Sequence, residues 1–208
     1  MQIIELQQGS EEWLEARLGK ISGTRLGQAT GSPAIQETLI NELIAELLTA
    51  EKKDNYVNLA MAKGTEAEAH AIEEYEEKTG EITEEIGLCI SDDYEWLVNS
   101  PDRLIKKKGK FSKAVEVKSP NPETAIKYIR NGGIPKEYEG QIISYFLVNN
   151  DLEELDFVVY SPTIQTEQYR LWIKNIKRKD LDLEKAKEKV LLFWQRYEEA
   201  LKQLNLAL

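Results

Sequence analysis

The stretch from residue 100 to residue 118 constrains the fold more than any other part of the sequence. Arg103–Lys107 and Phe111–Lys118 are two short runs rich in strand-forming residues, and Lys108-Gly109-Lys110 between them is typical of a tight turn. The pattern predicts a β-hairpin. An isolated hairpin is barely stable in water, so further strands or helices must cover its apolar face.

Acidic side chains meet across this hairpin if its turn has three residues. With Gly109 in the left-handed position of such a turn, Lys107 pairs with Phe111, and residue numbers across the hairpin sum to 218. Asp102 then lies opposite Glu116, because strand side chains alternate between the two faces. A two-residue turn would instead shift the pairing by one residue and move Asp102 to the other face.

Two opposed carboxylates need a proton or a cation between them. Directly opposed side chains have Cβ atoms about 4.5 to 5.5 Å apart, so Asp102 and Glu116 would repel each other when both are ionised. A hard divalent ion such as Mg²⁺, held by carboxylates and by phosphate oxygens of a substrate, fits this arrangement. Lys118 shares the face of Glu116 and adds a positive charge there. The alternative is that all three are ordinary solvated strand residues.

Two helical segments place polar residues on apolar faces. Glu68 is in line with Ile72 and Tyr75 on the apolar stripe of a predicted helix, and an acid on a buried face needs a metal or a hydrogen-bonding partner. Gln141 and Tyr145 lie one turn apart on a later predicted helix. We expect Tyr145 to be a core residue, whereas a polar side chain such as Gln141 is less usual among the apolar residues of this helix. Glu68 and Gln141 are therefore candidates for the same site. A structural hydrogen bond is the alternative for Glu68.

The order of predicted elements indicates an α/β protein with a central mixed β-sheet flanked by helices. We expect one domain over residues 1–208, with a helical part at 1–80, a sheet-centred core at 81–173 and a C-terminal helix at 180–208. The predicted helices begin at Ser10, at Ser32-Pro33, at about Val57, at Asn121-Pro122, at Pro135 and at Leu181. The predicted strands form a meander over Ile82–Ile90, Tyr94–Asn99, Arg103–Lys107 and Phe111–Lys118, followed by Leu155–Tyr160 and Gln165–Ile173.

Composition excludes several classes of protein. A single Cys and a single His rule out an internal disulfide, a Cys-rich zinc site and a two-histidine metal site; Cys89 is expected in the core and His70 on the surface. The formal net charge of -10 argues against broad phosphate binding, although Lys106–Lys110 is a local basic run. The longest apolar stretch, Val190–Trp194, is far too short to span a bilayer, and the N-terminus lacks the features of a signal peptide. We therefore expect a cytoplasmic protein with no membrane partner.

The motifs resemble those of a known family. Asp102 followed by Glu116-Val117-Lys118 looks like the signature of the restriction-endonuclease-like nuclease superfamily. More narrowly, the combination is similar to the phage lambda-type exonuclease family of viral recombination nucleases. The further matching segments, in the order of the family, are Trp13–Gly19, Ile21–Thr24, Gly64–Ala71, Ser119-Pro120 and Gln141–Tyr145.

The resemblance implies roles for individual residues. Asp102, Glu116 and the Val117 carbonyl would hold Mg²⁺, with Mn²⁺ as a possible substitute, and Glu68 would act beside them. Lys118 would orient the attacking water or steady the charge on phosphorus, and Gln141 would position the site. Residues matching those that hold a terminal 5′-phosphate are Arg17, Thr24 and Ser100. Where the family can place a further phosphate-binding Arg, this chain has Thr124, with Lys127 and Arg130 nearby.

The resemblance also implies an activity and partners. It indicates a metal-dependent 5′-to-3′ exonuclease that degrades one strand of linear double-stranded DNA to 5′-mononucleotides in phage-type recombination. A homotrimer ring around DNA and a single-strand annealing protein are the implied partners. The alternatives are a restriction, repair or structure-specific endonuclease of the same superfamily, and a non-catalytic module whose acidic helices bind a basic partner.

Overall fold

The computed structural model describes residues 1–51 and 59–206, with backbone only for residues 59–66. Its strands are β1 (Gln2–Ile4), β2 (Leu88–Ile90), β3 (Val98–Asn99), β4 (Arg103–Lys107), β5 (Lys110–Lys118), β6 (Glu154–Tyr160) and β7 (Leu171–Lys177). Its helices are α1 (Glu11–Glu15), α2 (Gly23–Ala29), α3 (Pro33–Thr49), α4 (Leu59–Thr79), α5 (Pro122–Asn131), α6 (Glu139–Val148), α7 (Glu167–Arg170) and α8 (Leu183–Gln203).

A four-stranded mixed sheet in the order β4-β5-β6-β7 forms the centre of the fold. The middle pair is parallel and the two outer pairs are antiparallel. One face packs on α4 through Ile72 and Tyr75, whereas the other face packs on a larger core built with α2, α3, α5, α6 and α8. The predicted α/β architecture, a mixed sheet flanked by helices, is therefore confirmed.

The predicted meander is divided between two sheets. β2 pairs with β1 on one side and with β3 on the other in a separate three-stranded antiparallel sheet, and only β4 and β5 of the meander belong to the central one. The predicted strand Gln165–Ile173 is wrong in its first half, because Glu167–Arg170 forms the helical turn α7 and the strand runs over Leu171–Lys177. Two short elements in the N-terminal part, β1 and α2, were not predicted, since neither is long enough to show a periodic pattern.

Several predicted helix boundaries are confirmed by their local chemistry. Ser10 accepts a hydrogen bond from the Trp13 amide at the start of α1, and Asn121 does the same for the Thr124 amide at the start of α5. At the other end of a helix, where the sequence suggests Gly80 as the stop of α4, Gly80 directly follows α4 with a φ of +70°, a conformation that glycine adopts at little cost. The predicted start of α4 at Val57, in contrast, lies outside the described residues.

The hairpin reaches the predicted register by a different route. Its turn has two residues, Lys108 and Gly109, because Lys107 pairs with Lys110 rather than with Phe111. Both turn residues have positive φ, +52° and +82°, as a two-residue hairpin turn of the primed type requires. One β-bulge then shifts the pairing, so that Ile105 pairs with Lys113 and Arg103 with Val115. Residue numbers again sum to 218. Asp102 directly precedes β4, and the same register continued by one residue places it at the level of Glu116.

Helices α2 and α6 cross unusually closely at two glycines. A Cβ atom built on Gly140 would lie 2.4 Å from the Gly27 backbone nitrogen and 2.5 Å from its Cα. Only glycine fits at this position of α6, and the residue that follows it is Gln141. The crossing therefore fixes the height at which α6 meets the sheet.

No helix in the described part of the chain is long and apolar enough to cross a bilayer.

Candidate active site

The two hairpin acids meet at the edge of the central sheet. Asp102 precedes β4 and is half-buried, and its Oδ2 accepts a hydrogen bond of 2.7 Å from the Val117 amide of β5. Glu116, the residue before Val117, is completely buried, and its side chain points to the face covered by α6. The carboxylate of Asp102 is thus held directly beside the strand that carries Glu116.

Helix α6 supplies two of the groups that hold Glu116. Gln141 Nε2 donates to Glu116 Oε1 at 2.7 Å, and the Tyr145 hydroxyl donates to Glu116 Oε2. The same hydroxyl accepts a hydrogen bond of 3.3 Å from the Asp102 amide. Tyr145 therefore links the two acidic positions, and a buried carboxylate is tolerated because each of its oxygens has a donor.

Lys118 provides the positive charge at the site. Its ammonium group forms an ion pair with Glu116 Oε1, and its side chain is about one-fifth exposed, at 22%. Burial alone would lower the pKa of Lys118, but the carboxylates of Glu116 and Asp102 raise it above its usual value. Lys118 is therefore charged and lies on the same face as Glu116, as strand alternation predicts.

Asp102 has more negative than positive charge around it. Burial, together with the charges of Glu116 and Glu68, raises the pKa of Asp102 well above its usual value, and Lys118 offsets only part of this. Among the described residues, Asp102 forms no ion pair, and its Oδ1 accepts no hydrogen bond. A proton or a cation bound at this carboxylate would offset the negative charge around it.

Glu68 extends toward the same region from α4. Its carboxylate lies 3.8 Å from Arg103, the residue after Asp102, and burial raises the pKa of Glu68. As predicted, it continues the stripe formed by the buried Ile72 and Tyr75. In the described part of the chain, however, no three acidic, His or Cys side chains converge closely enough to form a ready metal cage. Glu68 is joined to Arg103 rather than to the hairpin acids.

Two further predicted residues, Arg17 and Ser100, are linked through Trp13. The Arg17 guanidinium stacks over the Trp13 ring, 3.8 Å from its centroid, and Trp13 Nε1 donates to Ser100 Oγ at 2.9 Å. Arg17 is thereby connected, through Trp13, to a residue two positions before Asp102. Thr24 is exposed in the first turn of α2.

The start of α2 lies beside the acidic site. A Cβ atom built on Gly23 would be 3.2 Å from Asn99 Oδ1 and 3.3 Å from Gln141 Cγ, so Thr24 follows a residue in contact with both segments. Lys127 and Arg130 are exposed on α5 and form no ion pair within the described part of the chain. They are available to a ligand, but the structure shows no contact between them and the acids.

Sequence reasoning did not predict the role of Tyr145 at the site. It was expected to be a core residue, and its ring is indeed buried, but its hydroxyl bridges the two acidic positions. The available signal was its position one helical turn after Gln141, which places both side chains on one face of α6. Cys89 and His70, in contrast, lie in the core and on the surface as predicted.

The fold and the site together define a class: an α/β protein of the lambda-exonuclease type, with an Asp just before one strand and a Glu-x-Lys on the adjacent strand. Residues 12–151 match the YqaJ-like viral recombinase domain, a region that covers more than half of the chain. The chain belongs to this viral recombinase family.

Solved structures agree with this assignment. An alkaline exonuclease, LHK-Exo, from Laribacter hongkongensis is 30% identical, and the alignment covers 94% of this chain and 96% of that chain with a TM-score of 0.83. The complex of LHK-Exo with dAMP gives the same values. A phage related exonuclease from Haemophilus somnus 129PT is 16% identical over 89% of this chain and 96% of that chain, with a TM-score of 0.60, and shares the fold. No curated protein sequence matches this one.

Proposed function

We propose that this chain is a metal-dependent exonuclease that degrades one strand of linear duplex DNA from the 5′ end and releases 5′-mononucleotides. The observation that carries the proposal is the meeting of Asp102 and Glu116 across the hairpin, with Lys118 beside Glu116. Membership of a viral recombinase family and the likeness to an alkaline exonuclease support DNA as the substrate and recombination as the context. A DNA substrate of this kind would be met in the cytoplasm.

The residues at the site suit a hard divalent cation. All the candidate donors are oxygens, and Asp102 is a carboxylate without an ion pair among the described residues. We propose Asp102, Glu116 and the Val117 carbonyl as ligands for Mg²⁺, or for Mn²⁺ in its place, with Glu68 binding directly or through water. A metal bound there would supply a water of lowered pKa and positive charge for the phosphate oxygens.

The chain's own groups would perform the remaining tasks. Lys118 would orient the attacking water or stabilise negative charge on the phosphate, since its ammonium group lies on the same face as Glu116. Gln141 and Tyr145 would hold the Glu116 carboxylate in one orientation through their hydrogen bonds. Both come from α6, so one helix aligns the acid that the hairpin presents.

Substitution of the acids tests the proposal. We expect Glu116→Gln or Asp102→Asn to abolish cleavage of linear duplex DNA in Mg²⁺ while DNA binding stays measurable. The matched control is Glu167→Gln, because Glu167 is an exposed acid on α7, and it should cut at the wild-type rate. Retained cutting by Glu116→Gln would contradict the assignment, and a rate without Mg²⁺ or Mn²⁺ equal to that with it would contradict metal dependence.

The choice of DNA substrate separates the possible activities. Linear duplexes labelled at either 5′ or 3′ ends should lose the 5′ label first as mononucleotide. A covalently closed duplex should stay intact, whereas cutting of the closed form would indicate an endonuclease. If no duplex is cut and no divalent ion changes the thermal unfolding temperature, the chain is a non-catalytic module.

We propose that the residues around Ser100 hold a terminal 5′-phosphate. Arg17, Thr24 and Ser100 would bind the phosphate, and Lys127 and Arg130 would contact the DNA backbone. Support comes from the contact of Arg17 with Trp13 and from the Trp13–Ser100 hydrogen bond, which connects this group to Asp102 through two residues of chain. Arg17→Ala should reduce the preference for 5′-phosphorylated over 5′-hydroxyl ends. Equal wild-type rates on both ends would contradict the pocket.

We also propose a homotrimer ring and a single-strand annealing protein as partners. Both rest on the resemblance to lambda-type exonucleases. Light scattering should give the mass of three chains, and a mass of one chain would contradict the ring.

A further inference from the structure

Within the described part of the chain, the Lys118 ammonium group forms an ion pair with one acid, Glu116, and Glu116 also binds other groups. The Lys118 ammonium group forms its ion pair with Glu116, whose two oxygens also accept from Gln141 and Tyr145. Any ligand that takes up the Glu116 oxygens weakens the hold on Lys118. A lysine side chain released in this way regains several rotatable bonds, which disfavours the one position useful for the reaction.

A tyrosine ring lies on the other side of the same ammonium group. Lys118 Nζ is 5.0 Å from the centroid of Tyr138, within the roughly 6 Å range over which an aromatic face attracts a cation. A ring face attracts the ammonium group without accepting its proton, and it does not compete with carboxylates for a metal. Tyr138 can therefore hold Lys118 when Glu116 is engaged.

The Tyr138 ring is fixed from two further directions. It meets Tyr128 of α5 edge-to-face, with centroids 6.1 Å apart, and it packs against Phe157 with centroids 5.6 Å apart. Phe157 of β6 is the register partner of Glu116, so the ring rests on the strand beside the acid. Tyr138 closes the 3-10 turn Lys136–Tyr138 that leads directly into α6. The position of the ring is thus tied both to the sheet and to the helix that carries Gln141.

We propose that Tyr138 is a positioning residue whose ring keeps the Lys118 ammonium group beside the reacting phosphate after Glu116 has released it. The inference rests on the proposed function for its consequence in catalysis, but the contact between lysine and ring can be tested without it. The ring face, not the hydroxyl group, carries the role.

Kinetics give the first test. Tyr138→Leu should lower kcat about tenfold, the upper end of the effect of a partly buried cation–ring contact, and leave KM within about twofold. Tyr138→Phe should restore most of kcat, because it keeps the ring. The matched control is Tyr169→Leu, which removes an exposed tyrosine of α7 and should cut at the wild-type rate. A rise in KM with kcat unchanged, or a Tyr138→Phe as slow as Tyr138→Leu, would overturn the proposal.

Loss of folding must be separated from loss of the contact. If Tyr138→Leu unfolds, a trifluorinated phenylalanine at position 138 keeps the shape of the ring and removes most of its attraction for cations. This variant should also lower kcat, whereas full activity would overturn the proposal.

Nuclear magnetic resonance tests the contact without metal or catalysis. In wild type and in Tyr138→Phe, the Lys118 Cε protons should be shifted upfield by the ring, and the shift should disappear in Tyr138→Leu. The decisive variant is Glu116→Gln, in which the upfield shift should persist because the ring alone holds the lysine. Loss of the shift in Glu116→Gln would overturn the proposal. A wild-type protein that shows the shift but cleaves no DNA would instead contradict the proposed function.

Discussion

At the scale of single residues, the site depends on hydrogen bonds to one buried carboxylate. Glu116 is completely buried. Its carboxylate accepts hydrogen bonds from Gln141 and Tyr145 and forms an ion pair with Lys118. Burying a carboxylate is costly unless donors surround it, so each of these groups stabilises the fold as well as the site. Stability and activity are therefore coupled at these positions.

Tyr145→Phe tests this coupling. The change keeps the buried ring and removes the hydroxyl that bridges Glu116 and the Asp102 amide. We expect the free energy of unfolding to fall by about 1–3 kcal/mol, because a buried acceptor loses its partner. We expect kcat to fall at least about tenfold, the equivalent of about 1.4 kcal/mol in the barrier. Urea unfolding and single-turnover cleavage measure the two effects.

Tyr160→Phe is the matched control for Tyr145→Phe. Tyr160 is also buried, but its hydroxyl donates to Glu74 at 3.1 Å, away from the hairpin acids. Tyr160→Phe should lower the free energy of unfolding without slowing cleavage. If both variants lower cleavage alike, the effect of Tyr145 is one of general stability and the bridge has no special role.

Sequence reasoning found the acids more easily than the groups that hold them. Asp102, Glu116 and Lys118 were recognisable because charged residues interrupt strand patterns at fixed spacing. Tyr145 was not, because a tyrosine within an apolar helical run is usually core, and its ring is core. The function of Tyr145 lies in one hydroxyl, whose direction depends on how α6 packs against the sheet.

At the scale of elements, the β4–β5 hairpin shows that two different turns can give the same register. The sequence left a two-residue and a three-residue turn open and gave a register sum of 218 only with the three-residue turn. The structure reaches that sum by combining a two-residue turn with one bulge residue. The sequence does not locate the bulge, because Ser112 has no signal that separates it from its neighbours. The bulge is set by how β5 pairs with β4 and β6 together.

Lys108→Asn tests the two-residue turn. Lys108 has a φ of +52°, which is unfavourable for lysine and better tolerated by asparagine, and Asn-Gly is the preferred pair in such turns. We expect the free energy of unfolding to rise by about 0.5 kcal/mol, part of the roughly 1–2 kcal/mol that the left-handed conformation costs most residues, measured by urea titration. Lys108→Ala removes the same charge without relieving the backbone and should give no gain. A loss of stability in Lys108→Asn would contradict the turn.

Gly140→Ala tests the α2–α6 crossing. The new Cβ would clash with the Gly27 backbone at 2.4 Å and 2.5 Å, so the helices must separate. We expect a loss of about 1–3 kcal/mol in the free energy of unfolding, typical of overpacking, together with slower cleavage, because Gln141 is the next residue. Circular dichroism melts and cleavage rates measure both.

The partner glycine supplies the control for this crossing. A Cβ on Gly27 would lie 3.8 Å from the Gly140 Cα, an ordinary contact, and Gly27 is inside α2. Gly27→Ala should therefore be neutral or stabilise by up to about 1 kcal/mol through helix propensity. Equal losses in the two variants would show that the crossing is not as close as the structure indicates.

At the scale of the whole molecule, charge distribution matters more than net charge. The chain carries 27 basic and 37 acidic side chains, a formal charge of -10, and yet a DNA substrate is proposed. Binding to duplex DNA then requires a local basic surface, since the overall charge repels phosphate. Lys127 and Arg130, exposed on α5 without ion pairs in the described part of the chain, are the candidates on the helix that follows Lys118.

Charge reversal separates local from net charge. Lys127→Glu and Arg130→Glu should each weaken DNA binding and reduce the slope of log Kd against log salt by about one, the value for one lost phosphate contact. Lys202→Glu changes the net charge equally, but Lys202 is exposed at the end of α8 and should leave the slope unchanged. Binding isotherms at several salt concentrations measure this. If Lys202→Glu lowers the slope as much as Lys127→Glu, DNA responds to the charge of the whole molecule, and α5 is not its contact surface.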